Sequence, residues 1–335
     1  MKIGSLNTRD HTLIIAEIGN NHEGNFDLAQ ELVRSAVQAG ADAVKFQIFR
    51  TEHYITPSDK ARYNRLKGFE LTPIQFSQLA KQAHDAQVAF IATPFDLASA
   101  ELTAKICDAI KISSGDNNFY PLIQKVGTVG KPTLLSTGML DITDLHEPYR
   151  ILAEALGNDN LALLHCVTSY PVKQDDANVA AVKSLIQEFN CEIGYSDHTI
   201  GAEACLAAVA CGARIIEKHF TLDHNYSDFR DHQLSANPHE LAQLVNRIRQ
   251  FETLLGSGCK SPTTSETQIE PSIRRSIIAR RALPAGHVLK ADDLTWVRPA
   301  GGMSPGREQE LVGNSLCCAV EAGHQLSLDN LEKSP

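Results

Sequence analysis

The sequence predicts an α/β chain, a (β/α)8 TIM barrel followed by a small mostly-β domain, and three observations predict it. One unit recurs from residue 13 until eight copies have passed: a short apolar run that ends in polar groups, then a helical pattern, often closed by Gly. Those copies fill about 250 residues, the usual length of a closed parallel barrel, whereas a doubly wound sheet normally has fewer strands. After Leu255 the texture changes to GSGCKSPTTSETQIEPS and then to short β-like runs broken by Pro-Ala-Gly and Ala-Gly-Gly turns.

Taken in order, the first run is Leu13 to Gly19, with Glu17 inside an otherwise apolar LIIAEIG. A helix follows from Phe26, with Asn25 as its N-cap and Gly40 as its stop; Leu28, Leu32, Val33, Ala36 and Val37 share one face. The second run, Ala43 to Phe49, alternates Lys45 and Gln47 against Val44, Phe46 and Ile48. A polar insert, residues 50–72, has no periodicity of its own, and inserts of that length commonly serve as lids or binding loops. Runs three to six are Val88 to Phe95, Ala109 to Gly115, Lys131 to Gly138 and Leu161 to Tyr170. The last two lie in CEIGYSDHTIGAEACLAAVACGARIIEKHF, from Cys191 to Phe220. Helical patterns separate the runs, at residues 73–87, 97–107, 120–129, 143–156, 176–189 and 202–211, and a final one covers 238–255. The implied division is a barrel over 1–258, a linker over 259–272 and a small domain over 273–335, which at roughly 60 residues is near the lower limit for folding alone.

Composition narrows the function. A formal net charge of −9 without any Lys/Arg run argues against a nucleic-acid surface. No apolar run approaches the roughly 18 residues of a membrane span, and MKIGSLNTRDH lacks the apolar core of a signal peptide. Eight cysteines form no C-x-x-C pair, and most lie in apolar patterns, as reduced core thiols do. A cytoplasmic protein fits these features.

Catalytic groups of such barrels gather at the C-terminal ends of the strands. Here those ends carry Glu17, Lys45, Thr93, Lys111, Ser114, Ser136, Tyr170, Ser196, His198 and His219. Adjacent parallel strands lie about 5 Å apart, so His198 and His219, ending runs seven and eight, can share one divalent ion. A lone histidine there more often caps its strand; a pair at matched ends favours the ion. Lys45 and Lys111, with the hydroxyls of Thr93, Ser114 and Ser136, suit a small molecule bearing phosphate and carboxylate. Singly, each lysine reads as a snorkelling residue and each hydroxyl as a turn former. Glu17 and Asp116 can move protons, and an unpaired carboxylate in LIIAEIG would be costly, so a lysine of the next strand is its expected partner.

The segments AEIGNNHEGN, GADAVKFQ, ATPFD, KISSGD, KPTLLSTGM, LLHCVTSYP, IGYSDHTIG and EKHFTLD, with RPAGG near the end, closely resemble the N-acetylneuraminate (sialic acid) synthase family, which includes legionaminic and pseudaminic acid synthases. The resemblance is colinear through nearly the whole chain. It implies a barrel with a C-terminal antifreeze-like (SAF) domain and a homodimer in which that domain is swapped over the partner's active site. The implied reaction condenses phosphoenolpyruvate with an N-acyl hexosamine to a nine-carbon 2-keto acid and phosphate. On this likeness His198 and His219 would hold Mn²⁺, with Mg²⁺ or Co²⁺ as substitutes. Lys45, Thr93, Lys111, Ser114, Ser136 and Ser196 would cradle phosphoenolpyruvate. Glu17 and Asp116 would transfer protons, and Gln47, Thr168, Tyr170, Asp231 and Arg298 would meet the sugar. The chain departs from the family at Asp116, usually Glu, and at Thr168, often Asn. Where relatives often carry a PGPD turn, it reads NYSDFRDHQLSANP, one residue longer, with Asp231 as counterpart of the turn's Asp.

Two rival readings differ in class. A metal-free aldolase would form a Schiff base at Lys111 or Lys218. A non-catalytic carbohydrate- or ice-binding protein would need no polar cluster at the strand ends.

Overall fold

In a computed structural model describing residues 1–332, the chain divides into two compact units, one ending at Gly256 and one starting at Ser257. A short hairpin, β1 (Lys2–Ile3) and β2 (Leu6–Asn7), precedes eight strands: β3 (Leu13–Gly19), β4 (Ala43–Ile48), β5 (Ala89–Pro94), β6 (Ala109–Ile112), β7 (Thr133–Ser136), β8 (Leu161–Cys166), β9 (Glu192–Asp197) and β10 (Ile215–His219). They pair in sequence order, all in parallel, and β10 closes on β3, giving the expected eight-stranded barrel.

Period-2 alternation sorts each strand into two faces. Ile14, Ala16 and Ile18 of β3, like Val44 and Phe46 of β4, join the large core under the surrounding helices. Leu13, Ile15, Ala43, Ile91, Leu134, Leu164 and Ile215 instead fill the barrel's interior, and Met1 and Ile3 of the hairpin join that cluster. The interior is therefore packed at its N-terminal end, and only the C-terminal end can open.

Gly194 of β9 belongs to this interior, where an added Cβ would lie 2.4 Å from Leu164 Cδ2 and 2.6 Å from the Ile215 carbonyl oxygen. A methyl group there must push the strand backbone outward, so Gly194→Ala is expected to destabilise the barrel by about 1–3 kcal/mol in urea unfolding. A loss below about 0.5 kcal/mol would contradict this account of the packed floor.

Helices start where the caps are. Asn25 accepts from the Leu28 N–H ahead of Phe26–Gln38, and capping boxes at Thr72/Gln75 and Asn237/Glu240 open Pro73–Asp85 and Pro238–Leu255. Several segments differ from the sequence expectation, among them the helix expected at 176–189, which covers only Ala181–Glu188. Run six stops as a strand at Cys166 and continues as loop to Tyr170 and Pro171. The insert 50–72 is helical at Thr51–Tyr54 and Lys60–Phe69, capped by Asp59, with only Thr51, Leu66, Phe69 and Leu71 buried; so few apolar residues left no period to read. The connector likewise holds a helix, Thr264–Ile273, nucleated by a Thr263/Glu266 capping box and with no buried residue. In the second unit β11 (Ser276–Ala279) pairs antiparallel with β12 (Leu294–Val297) around a core of its own that includes Ile277, Leu289, Leu311, Leu316 and Leu326.

Candidate active site

Two residues beyond the apolar floor, the inward side chain of every barrel strand changes character. Glu17, Lys45, Thr93, Lys111, Ser136, Cys166, Ser196 and Glu217, one from each strand, line the floor of a cavity of about 740 Å³ at the C-terminal end. All eight are buried. Of the residues singled out from the sequence, Gln47, Ser114, Asp116, Thr168, Tyr170, His198, His219 and Asp231 line the same cavity higher up. Arg298 belongs to the second unit, where it is exposed just past β12.

Four formal charges share the floor. The Lys45 ammonium lies 2.8 Å from Glu17 and 3.7 Å from Glu217, and donates to the Thr93 hydroxyl at 3.2 Å. Burial works to lower the Lys45 pKa, but the two carboxylates outweigh it and raise it. The Glu17 carboxyl is pushed up, by burial first and by neighbouring Glu217 as well, against the pull of Lys45. A carboxyl with a raised pKa, held by Gln47 Nε2 at 3.2 Å, is placed to exchange a proton. Burial would also raise Glu217, yet Lys111, Lys45 and the Ser196 hydroxyl, which donates to it at 2.9 Å, hold it below the ordinary range. Glu217 is thus the ionised partner of both lysines.

Lys111 is the less satisfied cation. It donates to Ser136 Oγ at 2.5 Å and to the Ile112 carbonyl at 3.3 Å, while Glu217 stands 4.0 Å away. Burial, with Lys45 adding repulsion, lowers its pKa. An arriving dianion would reverse both penalties, because it adds acceptors and opposite charge in a dry site. Nearby, Ser114 Oγ accepts the Gly138 N–H at 3.1 Å; a Cβ on Gly138 would lie 2.7 Å from that hydroxyl, so the close approach needs glycine. Asp116 takes the Ser113 hydroxyl at 2.6 Å, and burial raises its pKa.

The two histidine rings lie 5.3 Å apart, centroid to centroid. His198 Nδ1 faces the Val167 carbonyl at 2.8 Å, and a carbonyl only accepts, so Nδ1 carries a proton. Burial works to lower the ring's pKa, but Cys166 and that carbonyl outweigh it and raise it, and Nε2 offers a lone pair only in the neutral ring. His219 Nδ1 is buried with no hydrogen-bond partner among the described residues. Burial first, then His198 and Lys45, depress the His219 pKa well below its usual value, leaving a neutral ring with nitrogen lone-pair density to offer. These features fit a divalent ion. Among the described residues no three His, Cys, Asp or Glu side chains converge as a ready-made metal cluster, so such an ion would draw its remaining ligands from water or substrate oxygens.

The Tyr170 ring packs tilted against His198, centroids 4.2 Å apart, and the Arg230 guanidinium lies 4.5 Å from the Tyr170 centroid. Arg230, Asp228 and Phe229 come from the loop after β10, and Tyr54, Arg62 and Arg65 from the helical insert. The sequence reading passed over these and over Glu217 and Cys166. For Glu217 a signal existed: in IIEKH, residues 215, 217 and 219 share a face, so Glu217 must sit directly beneath His219. Lys218 faces the other way, 2.7 Å from fully buried Asp197, and does not line this cavity, which removes it as a Schiff-base candidate.

Comparison with known proteins agrees with this fold. The NeuB family profile matches residues 32–260, and the SAF domain profile matches 274–332. The chain is 46% identical to an uncharacterized protein of Methanocaldococcus jannaschii over 87% of this chain and 86% of that protein. It is 37% identical to the N,N'-diacetyllegionaminic acid synthase of Campylobacter jejuni, across 90% of this chain and 95% of the relative. Among solved structures, the N-acetylneuraminic acid (sialic acid) synthetase of Leptospira borgpetersenii, in complex with citrate, superposes with a TM-score of 0.74 at 33% identity, covering 80% of this chain and 94% of that one.

Proposed function

This chain belongs to the NeuB family, and from that premise we propose that it is a nonulosonic acid synthase, condensing phosphoenolpyruvate and water with an N-acyl hexosamine to a nine-carbon 2-keto acid and phosphate. The observation that carries the proposal is the polar ring itself: two buried lysines and three hydroxyls beneath a histidine pair, in a cavity large enough for both substrates.

In this reading Lys111, Ser114, Ser136, Thr93, Ser196 and Lys45 bind the phosphate and carboxylate of phosphoenolpyruvate. Its C3 then faces the open-chain aldehyde of the sugar, which Gln47, Thr168, Tyr170 and Asp231 orient. C3 forms the new bond to the aldehyde carbon, water adds at C2, and the bond from C2 to its phosphate-bearing oxygen breaks, so that phosphate leaves with that oxygen and the oxygen of water becomes the keto oxygen. Glu17 and Asp116, both with raised pKa values, hold or pass the protons that the new hydroxyl gains and the water loses. A divalent ion held by His198 and His219, Mn²⁺ in this proposal, would supply Lewis-acid polarisation of the aldehyde. The proposal extends to a cytoplasmic homodimer with the small domain swapped. Among the described residues no helix is long and apolar enough to cross a membrane.

Incubation of the protein with phosphoenolpyruvate, Mn²⁺ and, in turn, N-acetylmannosamine, 2,4-diacetamido-trideoxymannose and the related altrose sugar tests the proposal. Mass spectrometry should find the condensed acid for one of them; turnover of none would refute it. One observation favours a second reading, since the depressed pKa of Lys111 also suits a Schiff base. Borohydride trapping of pyruvate on Lys111 would support that aldolase, and the synthase predicts none.

Arg298→Ala gives a further check. If this exposed arginine of the second unit meets the sugar, its loss should raise the sugar KM about tenfold while the phosphoenolpyruvate KM stays within about twofold. Equal rises would show that it makes no sugar contact.

A further inference from the structure

The NNHEG motif that follows β3 contributes little to the cavity wall, yet its side chains reach across to the loop that follows β10. Asn21 Nδ2 donates to the Phe220 carbonyl at 2.9 Å and to Ser235 Oγ at 3.0 Å, and Ser235 in turn donates to the Asp231 carbonyl at 2.5 Å. Glu23 Oε1 accepts both the Ser227 hydroxyl and His232 Nε2, the latter at 3.0 Å. His232 is 1% exposed, and its other nitrogen meets Thr221 Oγ1 at 2.6 Å. One carboxylate oxygen thereby ties together the middle of a loop, residues 221–237, and the one short helix within it, Arg230–Leu234.

Glu23 is held for this task at a cost. Its φ of 46° lies in the left-handed region, which residues of its kind rarely adopt. The next residue, Gly24, sits so close to the helical insert that a Cβ would lie 2.0 Å from the Gly68 carbonyl oxygen. The same insert reaches the tied loop through Phe69, whose ring meets Phe229 edge-on at 5.3 Å. The turn at Glu23 and Gly24 therefore stands where the first strand's loop, the helical insert and the loop after β10 meet.

Between the tied residues the loop presents Arg230 and Asp231 to the cavity, Arg230 over the Tyr170 ring. We propose that Glu23 is a positioning residue for the sugar end of the site: by anchoring Ser227 and His232 it fixes where Arg230 and Asp231 stand. It touches neither the polar floor nor the histidine pair, so its influence falls on the sugar and spares phosphoenolpyruvate. This inference rests on the synthase reading above for its kinetic consequence, and on geometry alone for its structural one.

The test compares Glu23→Ala with Glu23→Gln, which keeps an acceptor oxygen. Glu23→Ala should raise the sugar KM about tenfold or more with the phosphoenolpyruvate KM within about twofold, and Glu23→Gln should stay within about threefold of the parent. Amide hydrogen exchange should speed up over residues 221–237 in Glu23→Ala while the barrel strands keep their protection. Should the alanine variant fail to fold, Ser227→Ala, which removes one of the two donors, should raise the sugar KM about threefold. An unchanged sugar KM, a joint rise of both KM values, or unaltered exchange over 221–237 would overturn the assignment. If the parent protein turns over none of the sugars, the synthase reading fails, and the exchange experiment still decides the positioning role.

Discussion

His219→Ala is expected to lower kcat by about 10²–10³-fold, the size of effect seen when one preorganised electrostatic contact to a reacting oxygen is lost. The His219 ring is buried, its pKa is driven far down, its Nδ1 has no hydrogen-bond partner among the described residues, and it stands 5.3 Å from His198. Such an imidazole contributes nothing as a charge and costs desolvation, so its use is as a nitrogen ligand. Alanine removes one of the two nitrogens offered to a divalent ion, and Mn²⁺ titration of the variant should show weakened binding alongside the lost activity. Removing a ring from the rim should leave the fold intact. Full activity of the variant in metal-depleted buffer would remove the site.

Lys45→Met should cost more in stability than any single surface change, about 3–5 kcal/mol, because it leaves Glu17 and Glu217 facing each other without the cation between them. Lys111, 4.0 Å from Glu217, compensates only in part. The matching double variant Lys45→Met/Glu17→Gln removes one negative charge with the positive one, and should recover much of the stability in urea unfolding. It should not recover activity, since both a phosphoenolpyruvate contact and a proton carrier are gone. A double variant no more stable than the single one would mean that the Lys45 methylene stem, rather than its charge, holds the floor together.

The barrel was legible because its signal is repeated and redundant. Eight apolar runs with caps and glycine stops between them leave one parallel topology of the right length, and Asn25 and Gly40 mark helix ends by local chemistry alone. The polar ring was legible in part, since strand-end polarity exposes lysines, hydroxyls and histidines one at a time. Two pairings were foreseen, His198 with His219 and Glu17 with a lysine of the next strand, which is Lys45. Glu217 was missed because its partners Lys45 and Lys111 come from strands distant in sequence, and only closure of the ring brings all three together. The helices of the insert and connector escaped because neither buries enough apolar surface to impose a period; capping boxes and local hydrogen bonds shape them instead. Arg230 and Glu23 are products of long-range loop contacts, for which no pattern along the chain exists.

The measurement that bears most directly on the central claim is phosphate release from phosphoenolpyruvate, followed with and without the accepted sugar, before and after EDTA, and again after Mn²⁺ is restored. The account predicts release only when sugar and ion are both present, with one phosphate formed per condensed acid. Phosphate appearing without sugar, or turnover that survives complete removal of the ion, would contradict it.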